Sequence, residues 1–325
     1  MSLQLAVRPY AYSLSRPLQT AAGLWQRREG WLLRLSCEVS GHVGWGEVAP
    51  MDPAHRLACE RALSRWTQSA DVQCSRNQLE ERLPTLPAEV RFAFGAALAE
   101  LDGVVQVWLP APRSACLLPA GAAMLPMLEQ LLATHPVGEP ITVKWKVAAA
   151  DSDLEWSLLP KLLERLPSTA RLRLDANAGW DRSEAERWAG AVQDDPRLEW
   201  LEQPLAVDDL QGLQALEQRV PVALDESLLR QPQLREHWQG WQVRRPLLEG
   251  DPRHLLRQLQ EGRPQLMLST VFETGIGFRW LALMAGLQQQ GPTPAAPGLA
   301  PGWTPQSLLF SSDPAQVWAA AELSR

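Results

Sequence analysis

The stretch ITVKWKV, residues 141–147, decides how this chain is read. Ile141, Val143 and Val147 mark a buried β-strand. A side-chain period of two sends Lys144 and Lys146 to one face and Trp145 to the other. Moving an unpaired ammonium from water into an apolar core is costly. The lysine face therefore looks either onto solvent, as on an edge strand, or onto polar groups that the neighbouring strands supply.

From about residue 115 the sequence alternates between two patterns. Strand-like runs occupy 114–118, 141–147, 171–176, 198–202, 221–225, 241–245 and 265–269. Between them, apolar positions at helical spacing predict helices over 153–166, 182–193, 208–218, 251–260 and 277–290. A repeat of roughly 20–30 residues is the size of one βα unit. Seven or eight such units in series point to a (β/α) barrel, with a doubly wound open sheet as the alternative. Residues 291–305 are rich in proline and glycine and read as a long loop. The first hundred residues differ: strands at 3–14 and 31–37, a turn into another at 41–50, and helices at 54–69 and 87–102 suggest a separate α+β unit.

The strands end in polar residues, one set per unit: Lys144 and Lys146, Arg173 and Asp175, Glu202, Asp225, Arg245, and Ser269. Asn177 continues the face of Arg173 and Asp175. The C-terminal ends of strands are where barrel active sites are built. Singly, Asp175 reads equally well as a turn residue, and Glu202 and Asp225 as helix caps. Together, three carboxylates converging on one point repel unless a cation sits among them. An oxygen-only donor set with no His or Cys suits Mg²⁺ better than zinc. Beside such a cation an amine loses part of its proton affinity and can act as a general base. A metal and a lysine together can remove a proton α to a carboxylate.

This ordered set resembles the enolase superfamily, in its muconate-lactonizing-enzyme-like branch, and within it the o-succinylbenzoate synthase family. The similarity rests on KWKV (144–147), LRLDANAGW (172–180), EWLEQPL (199–205), VALDES (222–227) and LSTVFETGIG (268–277). RPLQTAAGLWQRREGWLLRL and VGWGEVAP, near the N-terminus, look like the same family's capping domain. The resemblance implies an α/β fold: a modified (β/α)₇β TIM-type barrel over 106–302, an N-terminal α+β capping domain over 1–105, and a 303–325 segment packed back near the cap. It implies a Mg²⁺-dependent dehydration, with Mn²⁺ as a substitute. 2-Succinyl-6-hydroxy-2,4-cyclohexadiene-1-carboxylate would become 2-succinylbenzoate, in menaquinone or phylloquinone biosynthesis. Carried over residue by residue, Lys146 is the base and Asp175, Glu202 and Asp225 are the metal ligands. Lys144, Arg173, Asn177 and Ser269 face the substrate, and Thr20, Gly23 and Arg28 lie in a loop that closes over it. Arg245 stands where the family has a second lysine. A guanidinium can stabilise an anion but cannot serve as a base near neutral pH. That disfavours a two-base N-succinylamino acid racemase or dipeptide epimerase. A non-catalytic anion-binding relative is a further alternative.

Composition sets the outer limits. The 325 residues carry a net charge of −6 with acids and bases interspersed, which argues against a nucleic-acid partner. Apolar runs are too short to cross a bilayer. Four scattered cysteines, with no C-x-x-C pair, read as free thiols in a cytoplasmic protein. The partner expected is a small-molecule carboxylate, and the sequence leaves the oligomeric state open. Fifteen tryptophans, spread over helices and strands, read as packing residues. Five histidines fall in predicted loops or helix surfaces. Glu47 reads as a buried carboxylate bracing a turn, and Glu226 as facing away from Asp225.

Overall fold

The computed structural model describes residues 2–20, 23–66, 72–136 and 138–322, and two sheets organise them. The first is antiparallel: β1 (Ser2–Thr20), β2 (Gly23–Ser36), β3 (Val43–Val48) and β4 (Val72–Ser75), in the order β3-β2-β1-β4. Thr20, Gly23 and Arg28 lie on the arms of a long β1–β2 hairpin, not in a loop. Pairing lapses between Ser13 and Leu18 and then resumes. Pro17, with no N–H to give the ladder, sits in that gap. The amide of Ser15, freed there, donates to the Trp303 carbonyl at 2.9 Å. The helix Ala88–Leu101 covers this sheet closely. A Cβ at Gly44 or Gly46 would lie 1.9 or 2.0 Å from the carbonyl oxygens of Ala97 and Ala93. Only glycine allows that approach.

The second sheet is parallel and runs in chain order: β5 (Cys116–Leu118), β6 (Thr142–Lys146), β7 (Arg171–Asp175), β8 (Leu198–Glu202), β9 (Val222–Leu224), β10 (Trp241–Arg244) and β11 (Leu266–Leu268). Residues 297–299 close it. On one side Gly298 N donates to Leu268 O at 2.8 Å and Thr270 N donates to Gly298 O at 2.9 Å. On the other, Ala115 N donates to Pro297 O at 2.9 Å, and Leu299 N to Ser114 Oγ at 3.0 Å. The open-sheet alternative is thereby set aside, and the Pro/Gly-rich stretch contains an eighth stave where a loop was expected. Pro297 fits there because only its carbonyl is used.

Alternate residues of these strands divide between two environments. Val143, Trp145, Leu172 and Leu174 point outward and are fully buried under the surrounding helices. Trp145 packs edge-on against Trp188 of the helix Arg182–Val192, with ring centres 5.7 Å apart, and Trp180 stacks on Trp188 at 5.0 Å. Burying such a ring is worth about 4–6 kcal/mol in transfer free energy. The helix Pro314–Ala321 returns to the first sheet, where Val317 and Trp318 pack with Tyr10, Tyr12 and Leu14. Arg8 Nη1 donates to the Trp318 carbonyl at 3.1 Å. Among the described residues no helix is long and apolar enough to cross a membrane.

Candidate active site

The inward residues meet at the C-terminal mouth of the barrel. Register places Lys146 beside Asp175 and Asp175 beside Glu202, so three strand ends stand level. Lys144 Nζ lies 2.8 Å from Asp175 Oδ2 and 2.8 Å from Glu202 Oε1. This explains how β6 can carry an amine inward: two buried carboxylates replace its water. Burial alone would lower the Lys144 pKa, but Asp175 and Glu202 outweigh it and hold the ammonium above the usual lysine range. Burial pushes Glu202 up, opposed by Lys144 and reinforced by Asp175 and Asp225. Lys146 projects from the same face one pleat nearer the mouth and is partly buried.

Asp225 follows β9, and Arg245 follows β10 at the start of the short helix Pro246–Glu249. Arg245 Nε donates to Asp225 Oδ1 at 2.8 Å, and Nη2 donates to the other oxygen of that carboxylate. Its Nη1 donates to the Thr270 carbonyl at 2.9 Å. Gln203, which no sequence pattern singles out, braces this side: its Oε1 accepts from Asp225 N at 3.2 Å and Ser227 N at 3.0 Å. The one available signal was its place between Glu202 and Pro204.

Glu226 turns toward the site, contrary to the alternation expected of it. The backbone leaves strand geometry at Asp225 (φ −120°, ψ −80°), so the period of two no longer holds. Asn177 Nδ2 donates to Glu226 Oε1 at 3.0 Å, while Asn177 N donates to Asp175 Oδ1 at 3.1 Å. Burial, then the charges of Asp225 and Asp175, push Glu226 up to about 8.

Other expected residues take different places. Arg173 is fully buried below the mouth. Its Nε donates to Glu199 Oε2 at 2.6 Å, and its guanidinium lies 4.0 Å over the Trp200 ring. Glu199 reaches it through a register shift: Leu172 pairs with Leu198 but Arg173 with Trp200, leaving Glu199 as an extra residue. Both Nη atoms of Arg173 are buried without hydrogen-bond partners. Ser269 stands at the end of β11 against the eighth stave, nearly buried. Arg28 is buried in the cap, where Nη1 and Nη2 donate to the carbonyls of Pro50 and Ala49 at 2.7 and 3.1 Å. The side chain of Thr20 lies outside the described residues. Glu47 does more than brace a turn, for it joins the first sheet to the helix Gly275–Gln289.

The carboxylates match a hard divalent cation in kind, being buried, oxygen-only and on adjacent strand ends. Two of them already share one cationic atom, Lys144 Nζ. Among the described residues, however, no three His, Cys, Asp or Glu side chains close on a common point. Asp225 is instead turned onto Arg245.

Known proteins carry the same architecture. A family model described as "Enolase C-terminal domain-like" matches residues 141–240. The o-succinylbenzoate synthase of Thermosynechococcus vestitus is 35% identical over 289 residues, covering 83% of this chain and 84% of that protein. A crystal structure of o-succinylbenzoate synthase from Thermosynechococcus elongatus BP-1, complexed with magnesium in its active site, aligns with a TM-score of 0.79. It is 31% identical, covering 97% of this chain and 99% of that one. The L-Ala-D/L-Glu epimerase from Bacillus subtilis aligns at a TM-score of 0.68 and 22% identity, over 89% of this chain and 88% of its own, a likeness of fold alone. The chain belongs to the o-succinylbenzoate synthases, a family of carbon–oxygen lyases in the enolase superfamily.

Proposed function

We propose that this protein dehydrates 2-succinyl-6-hydroxy-2,4-cyclohexadiene-1-carboxylate to 2-succinylbenzoate, with Mg²⁺ held by Asp175, Glu202 and Asp225, in menaquinone or phylloquinone synthesis in the cytoplasm. One observation carries the chemistry: two buried carboxylates on adjacent strand ends share a cation at 2.8 Å, and Lys146 stands on the same strand face. The magnesium-bound relative supports the choice of ion. A divalent cation there would supply positive charge beside the substrate carboxylate, making the adjacent C–H more acidic. Lys146 takes that proton. The hydroxyl on the neighbouring carbon leaves with a proton from the resulting ammonium. Water departs, the ring gains its third double bond, and Lys146 ends as it began.

Lys144, Asn177 and Ser269 line the substrate, and Arg173 offers two unpartnered Nη groups from below. Arg245 adds fixed positive charge from the opposite side. For Asp225 to join the ion, the Arg245–Asp225 pair must part. Because a guanidinium keeps its proton, Arg245 cannot be the second base of a racemase or epimerase. In this reading the capping domain spans 1–105, the barrel spans 106–302, and the segment from 303 onward packs back near the cap.

The test is direct assay. Purified protein with Mg²⁺ and the cyclohexadiene is expected to form the aromatic product, and Lys146→Ala or a chelator to stop it. Product formation at an undiminished rate by Lys146→Ala would remove the proposed base.

A further inference from the structure

Arg245 is held from two directions. Asp225 takes one edge of its guanidinium, and the carbonyl of Thr270 takes Nη1 at 2.9 Å. That carbonyl belongs to the turn 270–274, between β11 and the helix Gly275–Gln289.

The turn has an unusual conformation. Phe272 adopts φ +61°, a left-handed conformation that L-residues other than Asn and Asp seldom take. Such a conformation costs on the order of 1–3 kcal/mol and persists only where its surroundings fix it. From within, Thr270 Oγ1 accepts from Phe272 N at 2.8 Å and donates to Glu273, whose carboxylate also accepts from Val271 N at 2.9 Å.

From without, the turn is fixed by the first sheet. Tyr12 of β1 donates its hydroxyl to the Phe272 carbonyl. Glu47 of β3 accepts from Thr274 N at 2.9 Å, Thr274 Oγ1 at 2.6 Å and Gly277 N at 2.9 Å. Tyr10 Oη donates to the same carboxylate at 2.6 Å. Glu47 is fully buried, and a Cβ at position 277 would lie 2.8 Å from its Oε2. A carboxylate so placed satisfies first-turn amides of the helix and complements its dipole.

We propose that Tyr12 and Glu47, in the N-terminal sheet, are positioning residues for Arg245, acting through the 270–274 turn. The role rests on the dehydratase reading, in which Arg245 faces the reacting anion. Neither residue touches the reacting atoms. Each fixes the turn whose carbonyl aims the guanidinium, so docking of the cap is transmitted to the sixth barrel strand.

Tyr12→Phe is the sharpest variant, because it deletes one hydroxyl and leaves the ring packed edge-on against Phe310 at 4.9 Å. The expected result is a kcat lowered about tenfold, with KM changed less than about twofold and a Tm within a few degrees of wild type. In an Arg245→Met background the same change should cost less than about twofold, the non-additivity of residues acting as one unit. An equal loss in both backgrounds, or none in the wild type, overturns the proposal. A second readout needs no turnover: phenylglyoxal modification of Arg245, followed by peptide mass spectrometry on the metal-free protein. Tyr12→Phe and Glu47→Gln should raise its rate several-fold, and unchanged rates in Tyr12→Phe overturn the proposal. If the wild type fails to dehydrate the cyclohexadiene, the reaction assignment falls, while the modification rates still decide the positioning role.

Discussion

β6 and β7 present two faces that ask opposite things of one backbone. Outward, Val143, Trp145, Leu172 and Leu174 are completely buried in an apolar layer. Inward, Lys144, Lys146, Arg173 and Asp175 bring charge into a confined space. The first face gains free energy with every atom it hides. The second loses it, and the loss is contained only because opposite charges lie within hydrogen-bonding distance. Stability is thus drawn from one side of the strand and reactivity from the other.

Substitutions can separate the two. The largest effect is expected at the inward acids and the base. Asp175→Asn or Lys146→Ala should lower kcat by about 10³-fold or more, while Tm stays within a few degrees. A collapse of Tm would mean that the charged face also carries the fold. The reverse holds outward: Trp145→Ala should cost about 3–5 kcal/mol in denaturant unfolding, yet leave kcat per folded molecule near wild type. A smaller effect is expected at Arg245, where Lys should keep kcat within about tenfold and Met should lose about 10²-fold. Equal rates for wild type and Met would take this cation out of the reaction. The smallest effect is a pH dependence. Burial pushes Glu273 from its ordinary 4.5 up to about 7. The neutral form is therefore favoured by folding, and its contribution is full below about pH 4.5 and lost as pH rises toward 7. The Tm of wild type relative to Glu273→Gln should fall across that window, and a gap that stays flat would deny the shift.

Much of this division could be seen in the sequence, because alternation along KWK and RLRLD is a local property. The strand-end acids were visible for the same reason, spaced at the length of a βα unit. What escaped depends on neighbours. The stave at 297–299 is built from residues whose composition signals a turn, and only the strands on either side make it part of a wall. The inward reach of Glu199 follows from a register shift between two strands, which neither reveals alone. Glu226 departs from alternation because the backbone bends at Asp225, a turn that the strand pattern does not announce. Gln203 acts through amides supplied by the next strand-end, more than twenty positions away in the chain.

The return of the last helix to the first strand has a consequence for how the protein is made. Tyr10, Tyr12 and Leu14 leave the ribosome well before Val317 and Trp318, which cover them. Domains commonly fold as they are synthesised, N-terminal parts first. Here the β1–β2 hairpin must wait, with an uncovered aromatic flank, until the helix Pro314–Ala321 has been made. A nascent chain stalled before residue 314 should therefore be the species most prone to capture by a chaperone.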